Sequence, residues 1–178
     1  MTTTAPEASM TACRRAPAGL LRNDSRHNGK AVMMNSTLPA LRDFVPDDAD
    51  AVVRLWTDCG LTRPWNDPHK DIQRKLADRN GAFWVAEDPS GAIMAAVMIG
   101  YDGHRGTINY LAVAEAWRRS GFGAHIMAQA EAFLIAQGCP KVSFCVRKDN
   151  AAVLAFYDGL GYQADDVHFL GKRLIVDD

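Results

Sequence analysis

The chain has 178 residues, 48% of them apolar and 23% charged, which is the size and make-up of one globular domain and excludes a disordered, collagen-like or disulfide-scaffold polypeptide. A formal net charge of −1 argues against a protein that neutralises many duplex phosphates. No apolar stretch approaches the roughly 18 residues of a membrane span; Ala92 to Ile99 is the longest and reads as buried strand. Residues 1–37 hold five basic and two acidic residues, lack a hydrophobic period and carry no signal-peptide core. They are expected to be a disordered extension, with Met33 and Met34 as rival starts, ahead of a domain over 38–178.

From Leu38 the chain alternates strand and helix signals. Leu38 to Phe44 is expected as a strand. Pro46 opens a helix whose Ala49, Val52, Val53, Trp56 and Cys59 share a face until Gly60. Asp67-Pro68 starts a second helix, with Asp67 as N-cap and Ile72 and Leu76 as its apolar edge. Phe83 to Glu87 and Ala92 to Gly100 form a hairpin across Asp88-Pro89-Ser90-Gly91. A strand follows from Thr107 to Val113, then a helix from Gly121 to Gln137. Lys141 to Val146 reads as strand, Asn150 to Leu160 as helix and Val167 to Ile175 as a last strand. This order predicts an α/β fold: a central mixed β-sheet flanked by helices on both faces.

Chemistry concentrates after the strand ending Leu111-Ala112-Val113. There Arg118-Arg119-Ser120-Gly121-Phe122-Gly123-Ala124 opens a helix. Glycine lets backbone approach a ligand, and the first amides of a helix lack internal acceptors and sit at the positive end of its dipole. Such a loop suits a pyrophosphate, with Arg118 and Arg119 adding charge-assisted hydrogen bonds. A dinucleotide fingerprint would need G-x-G-x-x-G after the first strand, and R-x-x-G-x-G late in the chain does not match it. Downstream, Asn150 and Tyr157 lie almost two helical turns apart, on one face. Read singly, Asn150 is equally an N-cap and Tyr157 a packing residue.

Together, Leu-Ala-Val, Arg-Arg-Ser-Gly-Phe-Gly, Asn150, Tyr157 and Gly161-Tyr162 resemble the GNAT superfamily of N-acetyltransferases over about residues 38–178. Arg63 to Pro68, Gly100 to Gly106 and Leu170 to Ile175 resemble its bacterial YpeA-type group. The resemblance implies the GNAT-like acyl-CoA N-acyltransferase fold and acetyl-CoA as co-substrate, with no metal. It implies the pantetheine arm along Leu111, Ala112 and Val113, and the pyrophosphate on the backbone of Arg118 to Ala124. Asn150 would contact the cofactor arm, and Tyr157 would be both a cofactor contact and the acid that protonates the leaving thiolate. Arg119 and Ser120 replace the Gly and Arg usual in this loop. The Glu base of one branch falls on Cys145, so that base is missing.

The expected activity is acetyl transfer to a primary amine, of a small molecule or of a peptide or protein α-amine. A catalytically silent acyl-CoA-binding regulatory module is the alternative. Asp102, His104 and Glu87 are candidate water-relayed bases. Trp65, Asn66, Asp67, Asp102 and His104 are candidate acceptor contacts. Neither nucleic acid nor membrane is expected as a partner, the protein would be a monomer or homodimer, and four cysteines without a CxxC pair suit the reducing cytoplasm.

Overall fold

The computed structural model describes residues 38–177, so the expected N-terminal extension lies outside the described residues. Four strands form one antiparallel sheet in the order β1-β2-β3-β4: β1 Arg42–Asp43, β2 Gly81–Glu87, β3 Ile93–Tyr101 and β4 Gly106–Val113. Four helices accompany it: α1 Ala49–Asp58, α2 Pro68–Ala77, α3 Phe122–Ala136 and α4 Ala151–Asp158. The α/β class holds, and every helix read from the sequence forms. Asp67 caps α2 by accepting the amides of His69 and Lys70 at 2.8 and 3.3 Å, as its place before Pro68 predicted.

Period two decides how β3 sits. Ala95, Val97 and Ile99 pack into one core with α3 and α4 through Phe122, Ile126, Met127, Ala130, Leu134 and Tyr157. Ala96 and Met98 point the other way, into a core with α1 and α2 through Val52, Leu55, Trp56 and Ile72. A strand covered on both faces is apolar throughout, and this explains the uninterrupted run at 92–99. Phe83 and Val85 of β2 join the second core, with Phe83 stacked 4.2 Å from Phe44.

Three expected strands are cut back. The first keeps only Arg42–Asp43, since Pro39 removes a backbone donor from its start. Lys141 to Val146 forms no ladder. It meets the sheet at one parallel bridge, Gly106 to Val142, where Gly106 N donates to Lys141 O and Ser143 N to Gly106 O. The sheet proper is therefore antiparallel, and that bridge is its parallel element among the described residues. Val167 to Ile175 forms no strand either. A strand needs an edge to pair with, and its neighbour in sequence offers no ladder. Phe169, Leu170 and Leu174 are accordingly exposed.

The front of α1 is tied to β1 by charge. Asp48 is buried, accepts Arg42 Nη1 and Nη2 at 2.7 and 2.8 Å, and also accepts Val45 N at 2.9 Å. The Arg42 guanidinium holds the Asp48 carboxyl below the usual carboxylate range, against the opposing effect of burial. A lowered carboxylate pKa contributes stability above the unfolded value of 3.8, and that contribution is lost as pH falls through the folded value. We predict that Asp48→Asn costs about 1–2 kcal/mol at neutral pH. Urea unfolding should show the gap between variant and parent closing as pH drops below the ordinary carboxylate range.

Candidate active site

Strand β4 is irregular at its centre. Ala96 faces Ala112 and Met98 faces Asn109, so Tyr110 and Leu111 together oppose Val97. This is a β-bulge. Tyr110 carries the extra turn with φ +52°, a conformation that costs a non-glycine residue about 1–3 kcal/mol. The bulge also flips the side-chain alternation. Ile108 packs with the α3/α4 core, Tyr110 and Ala112 with the α1/α2 core, and Leu111 and Val113 with the α3/α4 core again.

Two contacts offset that backbone cost. The Tyr110 ring stacks 4.1 Å from the fully buried Trp56, an arrangement worth about 0.5–1.5 kcal/mol. Its hydroxyl donates to Asp71 Oδ2 at 2.7 Å, and a hydrogen bond to a charged group contributes about 1.5–3 kcal/mol. Burial first, then the Asp71 carboxylate, pushes the Tyr110 hydroxyl up to about 12. Asp71 Oδ1 accepts Arg74 Nη1 at 2.9 Å. Arg74 also pairs with Asp177, and that pairing holds the Asp177 carboxyl down at about 2.

The edge of β4 away from β3 joins the 141–143 segment only at Gly106. Beyond that bridge no further pairing joins the two segments among the described residues. Past Val113 a short 3-10 turn, Glu115–Trp117, delivers the loop that begins α3. Arg119 at φ +60° and Gly121 at φ +85° bend this loop into a concave run of amides. Ser120 Oγ donates to Trp117 O at 2.6 Å and accepts Phe122 N at 3.3 Å. No described acceptor takes the amides of Arg119, Ser120, Gly121, Gly123 or Ala124. A Cβ built on Gly121 meets nothing within 4 Å, so the backbone there is open.

The remaining expected residues divide. The Arg118 side chain turns inward: Nε donates to Val113 O at 3.0 Å and Nη2 reaches Cys59 Sγ at 3.4 Å. It braces the end of β4 and occupies the Val113 carbonyl, while Arg119 is exposed with no described partner. Gly123 faces α4, because a Cβ there would lie 3.2 Å from the Phe156 ring. Its glycine serves helix packing and brings the start of α3 against the helix that carries Tyr157. Leu111, Val113, Phe122 and Tyr157 share one packing cluster, whereas Ala112 sits on the opposite face.

Tyr157 is 9% exposed and lies among Phe144, Phe156 and Tyr162, with ring centroids 4.4–5.7 Å away. Burial pushes its hydroxyl up to about 12, and no described residue hydrogen-bonds it. Asn150 caps α4 by accepting Val153 N at 3.3 Å.

Asp102 accepts the amides of His104 and Arg105, both at 2.7 Å. Those amides hold its carboxyl below the usual range and fix the β3–β4 turn. That turn lies at the far end of β4, about 13 Å along the strand from Tyr110 to Gly106 alone. Asp102 and His104 are thus not brought to the bulge. Glu87 pairs with Arg42. Asp67 is engaged as the α2 cap. Trp65 is half-exposed, its carbonyl accepting Arg173 at 2.8 Å. Asn66 accepts Arg173 at 3.1 Å and reaches the Tyr110 hydroxyl.

Tyr110, Asp71 and Trp56 were missed by motif reading. The available signal was the broken alternation of Ile108-Asn109-Tyr110-Leu111-Ala112-Val113. Among the described residues no cluster of His, Cys, Asp or Glu could hold a metal ion, and no helix is long and apolar enough to cross a membrane.

Comparison with known proteins agrees with this geometry. The model of the acetyltransferase (GNAT) family matches residues 49–162. Acetyltransferase YE1169 of Yersinia enterocolitica is 50% identical over 137 residues, covering 77% of this chain and 96% of the relative. Among solved structures, a Trypanosoma brucei acetyltransferase has a TM-score of 0.60 at 18% identity, covering 75% of this chain and 99% of its own. AAC(6')-Iy, solved with the bisubstrate analogue CoA-S-monomethyl-acetylneamine, has a TM-score of 0.64 at 15% identity, covering 77% and 99%.

The Gly123 contact is testable on its own. Gly123→Val should cost about 1–3 kcal/mol of stability by overpacking against Phe156. Adding Phe156→Leu should recover part of that loss in denaturant unfolding.

Proposed function

The chain belongs to the GNAT acetyltransferase family, and from that premise we propose how its own residues move an acetyl group from acetyl-CoA to an amine. The observation that carries this reading is the open run of amides at Arg119–Ala124, set directly downstream of a bulged strand whose outer edge, past the Gly106 bridge, carries no ladder among the described residues. The amides and the Arg119 guanidinium bind the pyrophosphate. The free edge of β4 at Leu111 takes the amide-bearing arm. Asn150, held at the start of α4, orients that arm from the other side. Arg118 supports the site by fixing the end of β4, in place of the phosphate contact expected for it.

The amides at Tyr110–Leu111 stabilise the oxyanion as the amine nitrogen bonds to the thioester carbon. Loss of one such donor typically costs about 3–4 kcal/mol of transition-state stabilisation. When the carbon–sulfur bond breaks, the Tyr157 hydroxyl protonates the leaving sulfur, the attacking nitrogen gives up its extra proton to solvent, and solvent restores the tyrosine's. A free tyrosine near 10 would be close to a thiol near 8.5. Burial widens that gap on the tyrosine side, but the same low dielectric disfavours the thiolate too. Tyr157 therefore works first as a fixed hydrogen-bond donor.

The attacking amine must be neutral. Deprotonation at pH 7 costs a lysine-type amine about 4.6 kcal/mol and an α-amine about 1 kcal/mol. Cys145 stands where a Glu base would, Glu87 is ion-paired and Asp102 is engaged in its turn. The site thus favours α-amines or other acceptors of low pKa, entering on the Asn66/Asp71 side of the sheet. We place the enzyme in the cytoplasm, where acetyl-CoA and reduced cysteines coexist.

Tyr157→Phe should lower kcat about 100-fold or more while calorimetry shows acetyl-CoA binding retained. Because the Tyr157 hydroxyl is pushed up to about 12, it stays protonated throughout the neutral range. The rate should therefore rise with pH as the amine deprotonates, without a falling limb below about pH 10. Gly121→Val, at φ +85°, should abolish acetyl-CoA binding at a temperature well below its unfolding midpoint, which the strained backbone lowers by the equivalent of about 1–3 kcal/mol. Normal binding by that variant would contradict the cradle.

A further inference from the structure

We propose that Tyr110 and Asp71 form a positioning pair that holds the β4 bulge in register, so that its amides meet the carbonyl oxygen of the thioester. The inference rests on the reading above, that the bulge faces the reacting carbonyl, and adds what keeps it there. A tyrosine at φ +52° does not hold that conformation by its own preference. Strand pairing does not hold it either, because Tyr110 and Leu111 share the single partner Val97. The side chain does so through two independent anchors.

One anchor is the ring, which lies 4.1 Å from Trp56 with 21° between the planes. Trp56 is fully buried in α1 and cannot yield. The other is the hydroxyl, which reaches Asp71 Oδ2 at 2.7 Å. Asp71 is fixed in turn by Arg74, and its position in the first turn of α2 is set by the Asp67 cap. The bulge is thereby referenced to both helices of one face. Removing the hydroxyl or the carboxylate leaves the stacked ring and the core intact, but frees the backbone at Tyr110 to relax toward regular strand. Donor direction changes while the binding surface for the nucleotide, on the other side of Val113, does not.

The test uses acetyl-CoA labelled with carbon-13 at the thioester carbonyl, its stretching band recorded free and bound to the full chain. Binding to the parent protein should move the band to lower frequency, as a hydrogen bond from the bulge polarises the carbonyl. In Tyr110→Phe, which keeps the stack, and in Asp71→Ala, which removes the acceptor, about half of that displacement or more should vanish. Acetyl-CoA affinity should change by no more than about threefold. The double variant should be no worse than either single one, because the two groups act as a unit. Full displacement in both single variants would overturn the pair. Displacement absent from the parent despite tight binding would overturn the bulge assignment and the pair with it. Failure of the parent to bind acetyl-CoA at all would remove the functional reading beneath both, an outcome calorimetry separates from the other two.

Discussion

One surplus residue in β4 governs the architecture of the site. Because Tyr110 and Leu111 share the space opposite Val97, the strand changes face midway, and its two halves feed different cores. The half before the bulge turns Ile108 toward α3 and α4. The half after it places Leu111 and Val113 on that side and Tyr110 and Ala112 beside α1 and α2. A regular strand of the same length would put Tyr110 on the other face, away from Trp56 and Asp71. The bulge is a backbone defect maintained by side-chain packing.

The two halves of the proposed reaction are accordingly built on different supports. The loop Arg119–Ala124, to which we assign the nucleotide, is shaped by two left-handed residues and linked to α4 by the Gly123–Phe156 approach. On the face we assign to the acceptor lies a side-chain network: Asn66, Asp71, Arg74, Arg173 and Asp177 join the α1–α2 connection, α2 and the chain's last described residues around Tyr110.

Much of this was legible in the sequence where local chemistry decides the outcome. Asp67-Pro68 specified a capped helix, the turn after Glu87 specified a hairpin, and the loop before α3 announced its open amides. What escaped depends on partners distant in sequence. Arg118 has contacts with Val113 O and Cys59 that no motif announces. Gly123 reads as a ligand-approach glycine until Phe156 is seen against it. Asp102 and His104 have the right chemical types for a base, yet belong to a turn at the wrong end of β4. The segments 141–146 and 167–175 have strand-like composition, but strand formation depends on an available edge.

That free edge of β4 has a colloidal side. A row of unsatisfied amides and carbonyls along a sheet border invites strands from neighbouring molecules, and proteins commonly blunt such borders by distorting them. The kink at Tyr110 does this here: it breaks the straight repeat that a foreign strand would need for continuous zipping. The distortion thus discourages self-association along the strand, and a mutation that straightened β4 would make the protein stickier.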